Sequence, residues 1–369
     1  MSEVMTASEE RDLSADALVG RIFEGSVAAF EVLSVVIGDS LGLYATLARD
    51  GSATSGELAT RAGIAERYAR EWLEQQAASG ILLVDDPAAV ADQRRFTLPP
   101  GHAEALIDPE SPYSIAPVAR AVAACARVLP ELLDAYRSGG GVEWADYGRD
   151  MIEAQGDFNR PWLVNSFGSD YLPAVPDVHE RLSADTPARV ADVACGVGWA
   201  SIAIARAYPN ARVDGFDLDP LSIELARTNA EAAGVGDRVT FETRDAGHPK
   251  AAGRYDLAVM IEALHDVSKP VEVLEAIRGM LAPGGTAIIA DEKTADAFTA
   301  PADLTERLFY GFSITCCLPA AMTDRTSAGT GTVMRADTLR RYAEAAGFRK
   351  TEVLDDLEHD ALRFYRLTP

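Results

Sequence analysis

Residues 189–201 read RVADVACGVGWAS and residues 211–220 read ARVDGFDLDP. The first stretch is an apolar strand, a glycine turn and the start of a helix; the second is another strand ending in an acid and a proline. Gly196 and Gly198 let the backbone come close to a ligand where an open α/β sheet presents its binding crevice. Asp217 lies 19 residues beyond Gly198, the spacing at which a strand-end carboxylate meets both hydroxyls of a ribose. Asp219 precedes Pro220 and reads as the cap of the next helix, leaving Asp217 for the sugar.

The same alternation continues outward. Arg189–Ala194, Ala211–Phe216, Val239–Glu242, Tyr255–Ile261 and Thr286–Ala290 read as strands, with helices over 200–207, 221–233 and 271–281. A helix over 336–346 precedes two further strands near 351–354 and 362–367, which suit an antiparallel edge pair. Near-continuous apolar strands between amphipathic helices predict a mainly parallel seven-stranded sheet covered on both faces. A dinucleotide fingerprint would place a third glycine where Ser201 stands, so a nucleotide without a pyrophosphate fits better than NAD.

Upstream, the segment 18–47 is apolar with helical character and predicts helices buried against each other or against a second subunit. Thr54 or Ser55 caps a short helix, a second follows over 65–79, and Gly80 ends it before the strand 81–84. With RRFTLPP returning as a second strand, this is a winged-helix pattern over roughly residues 20–100. Its second helix, IAERYAREWLEQQAAS, mixes Arg67 and Arg70 with Glu66, Glu71 and Glu74, a weak DNA-reading face. The chain carries 34 Lys plus Arg against 57 Asp plus Glu, a net charge of −23 that opposes phosphate backbones and anionic membranes.

Together these patterns divide the 369 residues into 1–110, winged-helix and dimerisation; 111–187, a helical connecting region; and 188–369, the nucleotide-binding α/β domain. Phe158, Trp162 and Phe167 in the connecting region either pack it or line a pocket. No stretch approaches 18 uninterrupted apolar residues, and the acidic start MSEVMTASEERDLSAD lacks the features of an export signal. Cys125, Cys195, Cys316 and Cys317 show no disulfide or CxxC spacing, which with the leaderless start predicts a cytoplasmic protein. His102, His179, His248 and His359 are scattered, so no metal site is expected.

The motifs DVACGVG, FDLDP, RDA and LAPGG together make the chain resemble class I S-adenosylmethionine-dependent methyltransferases, particularly bacterial members with an N-terminal winged-helix dimerisation module. The resemblance implies a Rossmann-like fold, S-adenosyl-L-methionine as cofactor, a small-molecule substrate and a homodimer; the acidic charge argues against nucleic acid as a partner, and no membrane partner is expected. It implies that Asp192 and the turn through Ala194, Gly196 and Gly198 surround the methionine portion and ribose, that Asp217 holds the ribose, and that Asp245 and Ala246 meet the adenine. Leu218 and Glu262 complete the expected cofactor set. Ala194 departs from the family, which has a glycine there; a turn with φ below zero accepts the methyl group, and a turn with φ above zero shifts the cofactor.

The fourth strand ends in AVMIEALHDVSKP. His265 is a natural proton acceptor near neutral pH, and a carboxylate can orient its second nitrogen. The segment resembles the LHDW region of winged-helix O-methyltransferases, with Val267 in place of the tryptophan, which implies a general base at His265. Asp291, at the end of GGTAIIADEK, is the expected orienting acid, with Glu292 as the alternative. Residues 301–335, rich in aromatic residues and then glycine, read as a lid or as core packing. Methyl transfer to a hydroxyl follows, with N- or C-methylation, or a cofactor-binding regulator, as alternatives.

Overall fold

The computed structural model describes residues 14–247 and 253–369; residues 1–13 and His248 lie outside them. The chain divides into two compact units, one ending at Asp108 and one starting at Pro109.

The first unit opens with the helix Ala15–Ser40, capped by Ser14, whose Oγ accepts from the Ala17 amide. Leu18, Ile22, Phe23, Val27 and Phe30 stand exposed along it, Phe23 by 70% and Phe30 by 69%. The helix Ser55–Ala62 starts in a capping box between Thr54 and Glu57, which satisfies two end amides at once. The helix Glu66–Ala78 follows, then a wing of β1 (Leu83–Val84) and β2 (Phe96–Thr97), paired antiparallel. Leu47, Leu58, Leu73 and Phe96 form the core. On the candidate reading helix Arg70 pairs with Glu66 at 2.8 Å and Arg67 with Glu71, so its arginines are neutralised within the helix. Among the described residues no single helix is long and apolar enough to cross a membrane; the helix Ala15–Ser40 passes that test only jointly with Leu43–Asp50, across a 62° bend.

The second unit is built on seven strands: β3 (Arg189–Val193), β4 (Arg212–Asp217), β5 (Val239–Thr243), β6 (Tyr255–Ile261), β7 (Leu281–Glu292), β8 (Lys350–Val353) and β9 (Leu362–Thr368). They lie in the order β5-β4-β3-β6-β7-β9-β8. The first five are mutually parallel, and β9 runs antiparallel between β7 and β8. The expected terminal pair is therefore present, with β8 alone at the edge. The strand order reverses between β3 and β6, which opens the crevice at the carboxyl ends of these strands.

Side chains alternate between two cores, which explains why the strands read as unbroken apolar runs. Val190, Leu257 and Val259 enter one core with Ile202 and Ile204; Ala191, Met260 and Ile289 enter the other with Leu274 and Leu339. The segment 111–187, read from the sequence as a connecting region, packs into the first of these cores through Leu163, Phe167 and Leu172. Its helix Arg149–Trp162 runs into a π-helical stretch, Leu163–Tyr171, next to Pro161, whose ring nitrogen cannot donate a regular helical hydrogen bond. Trp162 stacks edge-on against Phe167 and Tyr171, and Phe167 is buried, so these aromatics pack the fold.

Candidate active site

A cavity of about 670 Å³ opens at the crevice, within the range of small-molecule sites. Its floor is the turn after β3. Asp192 is fully buried and its Oδ2 accepts from Ser201 Oγ at 2.6 Å; desolvation pushes its carboxyl up to about 6, against the opposing pull of the Ser201 hydrogen bonds. Ala194 adopts φ +56°, so the turn demands the left-handed conformation that the sequence left open, and a methyl group sits where glycine would be unstrained. Gly196, at φ +52°, faces open space, since a Cβ there would meet nothing within 4 Å. Gly198 caps the helix Trp199–Ala207 at φ +86°, and a Cβ on it would lie 2.7 Å from Phe241 Cζ, so both conformation and packing require glycine.

Asp217 ends β4 and lines the cavity. Its Oδ2 accepts from the Gly196 amide at 2.8 Å and its Oδ1 from the Asp219 amide at 2.9 Å, while burial still pushes its carboxyl upward. Each carboxylate oxygen retains a second acceptor site, enough for a vicinal diol. Asp219 caps the helix Pro220–Ala232 by accepting from the Ser222 amide and hydroxyl, both at 2.7 Å, as its place before Pro220 implied. Leu218 is 71% exposed at the cavity rim, with Asp245 and Ala246 also on the lining. Asp245 Oδ1 accepts from the Gly247 amide, which shapes that loop.

Glu262 directly follows β6, at φ +48°, and is held by two amide side chains, Gln155 Nε2 at 3.0 Å and Asn159 Nδ2 at 2.6 Å. Desolvation raises its pKa, the Asn159 hydrogen bond and His265 only partly offsetting that. Gln155 and Asn159 stand one turn apart on one helix and both line the cavity. Neither carried a sequence signal beyond that spacing. Glu143, Trp144 and Ile152 complete the same wall. The expected lid contributes Ala320, Thr323 and Asp324 to the lining, while its Phe309 is buried and Cys316 joins a core with Cys125 and Tyr147.

His265 is buried behind this wall and does not line the cavity, whereas the adjacent Asp266 does. Its Nδ1 lies 2.9 Å from Asp291 Oδ1 and 3.0 Å from Glu292 Oε2, and its Nε2 lies 3.2 Å from Asp266 Oδ1. Burial alone would lower the His265 pKa, but Asp266, Glu292 and Asp291 outweigh it and hold the value well above that of an ordinary histidine. Burial likewise pushes Glu292 far upward. The structure thus joins His265 with both candidate acids, Asp291 and Glu292, and adds Asp266, which faces the cavity.

Residues 185–336 match the family described as a methyltransferase domain, and residues 28–107 match the Rv2258c-like winged HTH domain. The segment similar to the winged HTH domain thus precedes the segment similar to the methyltransferase domain. A relative of the methyltransferase domain is a trans-aconitate 2-methyltransferase of Streptomyces avermitilis, 36% identical over 118 residues, or 32% of this chain and 42% of the relative. Another is a ubiquinone biosynthesis O-methyltransferase of Shewanella pealeana, 34% identical over 97 residues, 26% of this chain and 40% of the relative. The chain thus spans about two fifths of the length of the curated relatives it matches. In fold the chain is similar over nearly its whole length to human N-acetylserotonin methyltransferase, solved in complex with SAM (TM-score 0.69, 16% identity, 99% of each chain). It is similarly like the mitomycin 7-O-methyltransferase MmcR (TM-score 0.66, 22% identity, 96% of this chain and 97% of that one).

Proposed function

We propose that the protein is an S-adenosylmethionine-dependent methyltransferase that methylates a hydroxyl of a small-molecule metabolite. The observation that carries this is a single cavity with the Asp217-braced glycine turn at one end and Glu262 and Asp266 on its wall. The fit to the cofactor rests on the open space above Gly196 and on the spare acceptor sites of Asp217. Asp192, Ala194, Gly196 and Gly198 would hold the methionine portion and ribose, Asp217 the ribose hydroxyls, and Leu218, Asp245 and Ala246 the adenine, with Glu262 on the wall beside the methionine end. When bound, the cofactor supplies a methyl group on a positively charged sulfur.

The chain's own contribution is orientation and desolvation. Holding two reactants in line in a closed site supplies a large share of the barrier reduction for such a transfer. Asp266, a carboxylate on the cavity lining next to His265, would take the proton of an acceptor hydroxyl bound beside it. His265 acts behind it as a positioning residue, because both its ring nitrogens face carboxylates and its side chain is away from the lining; Asp291 fixes the ring from the other side.

We further assign the working form to a homodimer in the cytoplasm. The exposed apolar residues of Ala15–Ser40 need a cover, and Glu24, Glu31 and Asp39 interrupt the helix in a way that suits a second copy better than lipid. Four free cysteines among the described residues fit a reducing compartment. The experiment that tests the activity is incubation with methyl-labelled cofactor and candidate metabolites, with identification of the labelled atom. Label on oxygen is expected; label on nitrogen or carbon rejects the hydroxyl, and tighter calorimetric binding of NAD than of S-adenosylmethionine rejects the cofactor.

A further inference from the structure

Behind the cavity wall, three different donor types converge. His265 is held through Nδ1 by Asp291 at 2.9 Å, and its Nε2 is turned to Asp266 Oδ1 at 3.2 Å. Cys317, in the π-helical stretch Ser313–Cys317, brings a thiol to the same place, so that the donor atoms of His265, Asp266 and Cys317 all lie within 4.8 Å of one another. Asp266 Oδ1 is buried and accepts no well-aligned hydrogen bond; its close polar neighbour is the His265 ring nitrogen.

Nitrogen and oxygen ligands of a tetrahedral zinc ion, at bond lengths near 2.0–2.2 Å, stand about 3.3 Å apart, close to the Nε2 to Oδ1 separation seen. The Asp291 contact to Nδ1 is the outer carboxylate that orients a metal-binding imidazole and fixes which nitrogen carries the lone pair. π-Helical turns are frequent at functional sites, and Cys317 ends one here with its Sγ within 4.8 Å of a His265 ring nitrogen.

We propose that His265 Nε2, Asp266 and Cys317 Sγ form a site for one zinc-class divalent cation beside the substrate cavity. The mixed nitrogen, oxygen and sulfur set selects a borderline-soft ion over magnesium or calcium. One carboxylate and one thiolate balance its two charges, with the protons of Nε2 and of the thiol displaced on binding. Three protein ligands leave a fourth position, and Asp266 connects the site to the cavity lining. The second triad at the same histidine, with Asp291 and Glu292, uses Nδ1 and lacks a soft donor, so the Cys317 side is favoured.

The test uses full-length protein stripped with a chelator, reloaded with Zn²⁺ or Co²⁺ and desalted. About one metal per chain is expected, and the cobalt form shows a thiolate-to-cobalt charge-transfer band with the intense visible bands of a four-coordinate site. Cys317→Ser and Asp266→Asn lose the metal or bind it at least about 10-fold more weakly, and Cys317→Ser also loses the charge-transfer band. Cys125→Ser, at a neighbouring thiol outside the ligand set, keeps both. No retained metal, cobalt without the band, or equal loss in Cys125→Ser overturns the site. Thermal melts verify that each variant is folded, and calorimetry with S-adenosylmethionine on the same samples separates failure of this site from failure of the methyltransferase reading.

Discussion

Asp217 Oδ2 accepts the Gly196 amide at 2.8 Å, so the residue that ends β4 also fixes the turn that follows β3. The carboxylate assigned to the ribose is also the brace of the loop beneath the cofactor. Asp217→Ala removes both roles together. We expect cofactor affinity to fall by at least about 100-fold, with an accompanying loss of about 1–3 kcal/mol of stability from the freed Gly196 and Asp219 amides. Calorimetry and denaturant melts read the two effects, and near-wild-type affinity in the variant rejects the assignment.

Ala194 at φ +56° carries the strain of a non-glycine residue in the left-handed region. Ala194→Gly is expected to stabilise the protein by about 1 kcal/mol, the cost of placing a Cβ in that conformation less the added freedom of glycine in the unfolded chain. A lower urea midpoint for the variant contradicts the conformation described.

Burial raises the Asp192 carboxyl to about 6, above its unfolded value near 3.8. Its folded form therefore favours the proton, and the associated stability is fully present below the unfolded value and is lost as pH rises through about 6. In the ligand-free protein the difference amounts to about 3 kcal/mol between the two limits. Asp192→Asn should flatten this part of the pH–stability curve, stabilise the free protein at pH 7 and weaken cofactor binding. An unchanged curve between pH 4 and 7 counts against it.

Asn159 donates to the buried Glu262 at 2.6 Å and accepts from Trp162 Nε1 at 2.9 Å. Asn159→Leu leaves both partners short of a hydrogen bond, at a cost of about 1–3 kcal/mol, and should reduce turnover more than it reduces cofactor affinity. Paired calorimetry and initial-rate assays test this, and a variant with wild-type stability and turnover refutes it.

Phe23 and Phe30 stand on the exposed face of the helix Ala15–Ser40. The double substitution Phe23→Asp with Phe30→Asp should halve the mass measured by light scattering and leave the calorimetric affinity for S-adenosylmethionine unchanged. A wild-type mass in the variant would place any dimer contact elsewhere.

The strands of the second unit were legible because both of their faces are buried: Val190 and Ala191 enter opposite cores, so periodicity and burial gave the same signal. Asp219 was legible because a cap before a proline is a local event. Gln155 and Asn159 were not, since an amide pair one turn apart on a helix looks like any solvated face until Glu262 arrives from 107 and 103 residues away. His265 and the acids at the end of β7, Asp291 with Glu292 as the alternative, were legible as candidates; that both acids meet the ring, with Asp266 and Cys317 on its other side, was not. Asp291 and Glu292 come from a neighbouring strand and Cys317 from an insertion, and only the folded chain converts a free imidazole into one enclosed by acids. The sign of φ at Ala194 also lay beyond composition, because it is set by the strand and helix that the turn must join.

Strand β9 lies inside the sheet, with Ala287–Glu292 of β7 on one side and β8 on the other. During synthesis the ribosome therefore releases the five parallel strands before the piece that covers β7 exists. Until residues 362–368 emerge, the β7 edge presents open amides and carbonyls to any neighbouring chain. Deleting that last segment would consequently harm yield and solubility before it touched the cavity, and the nascent protein must rely on chaperones or on speed to protect that edge.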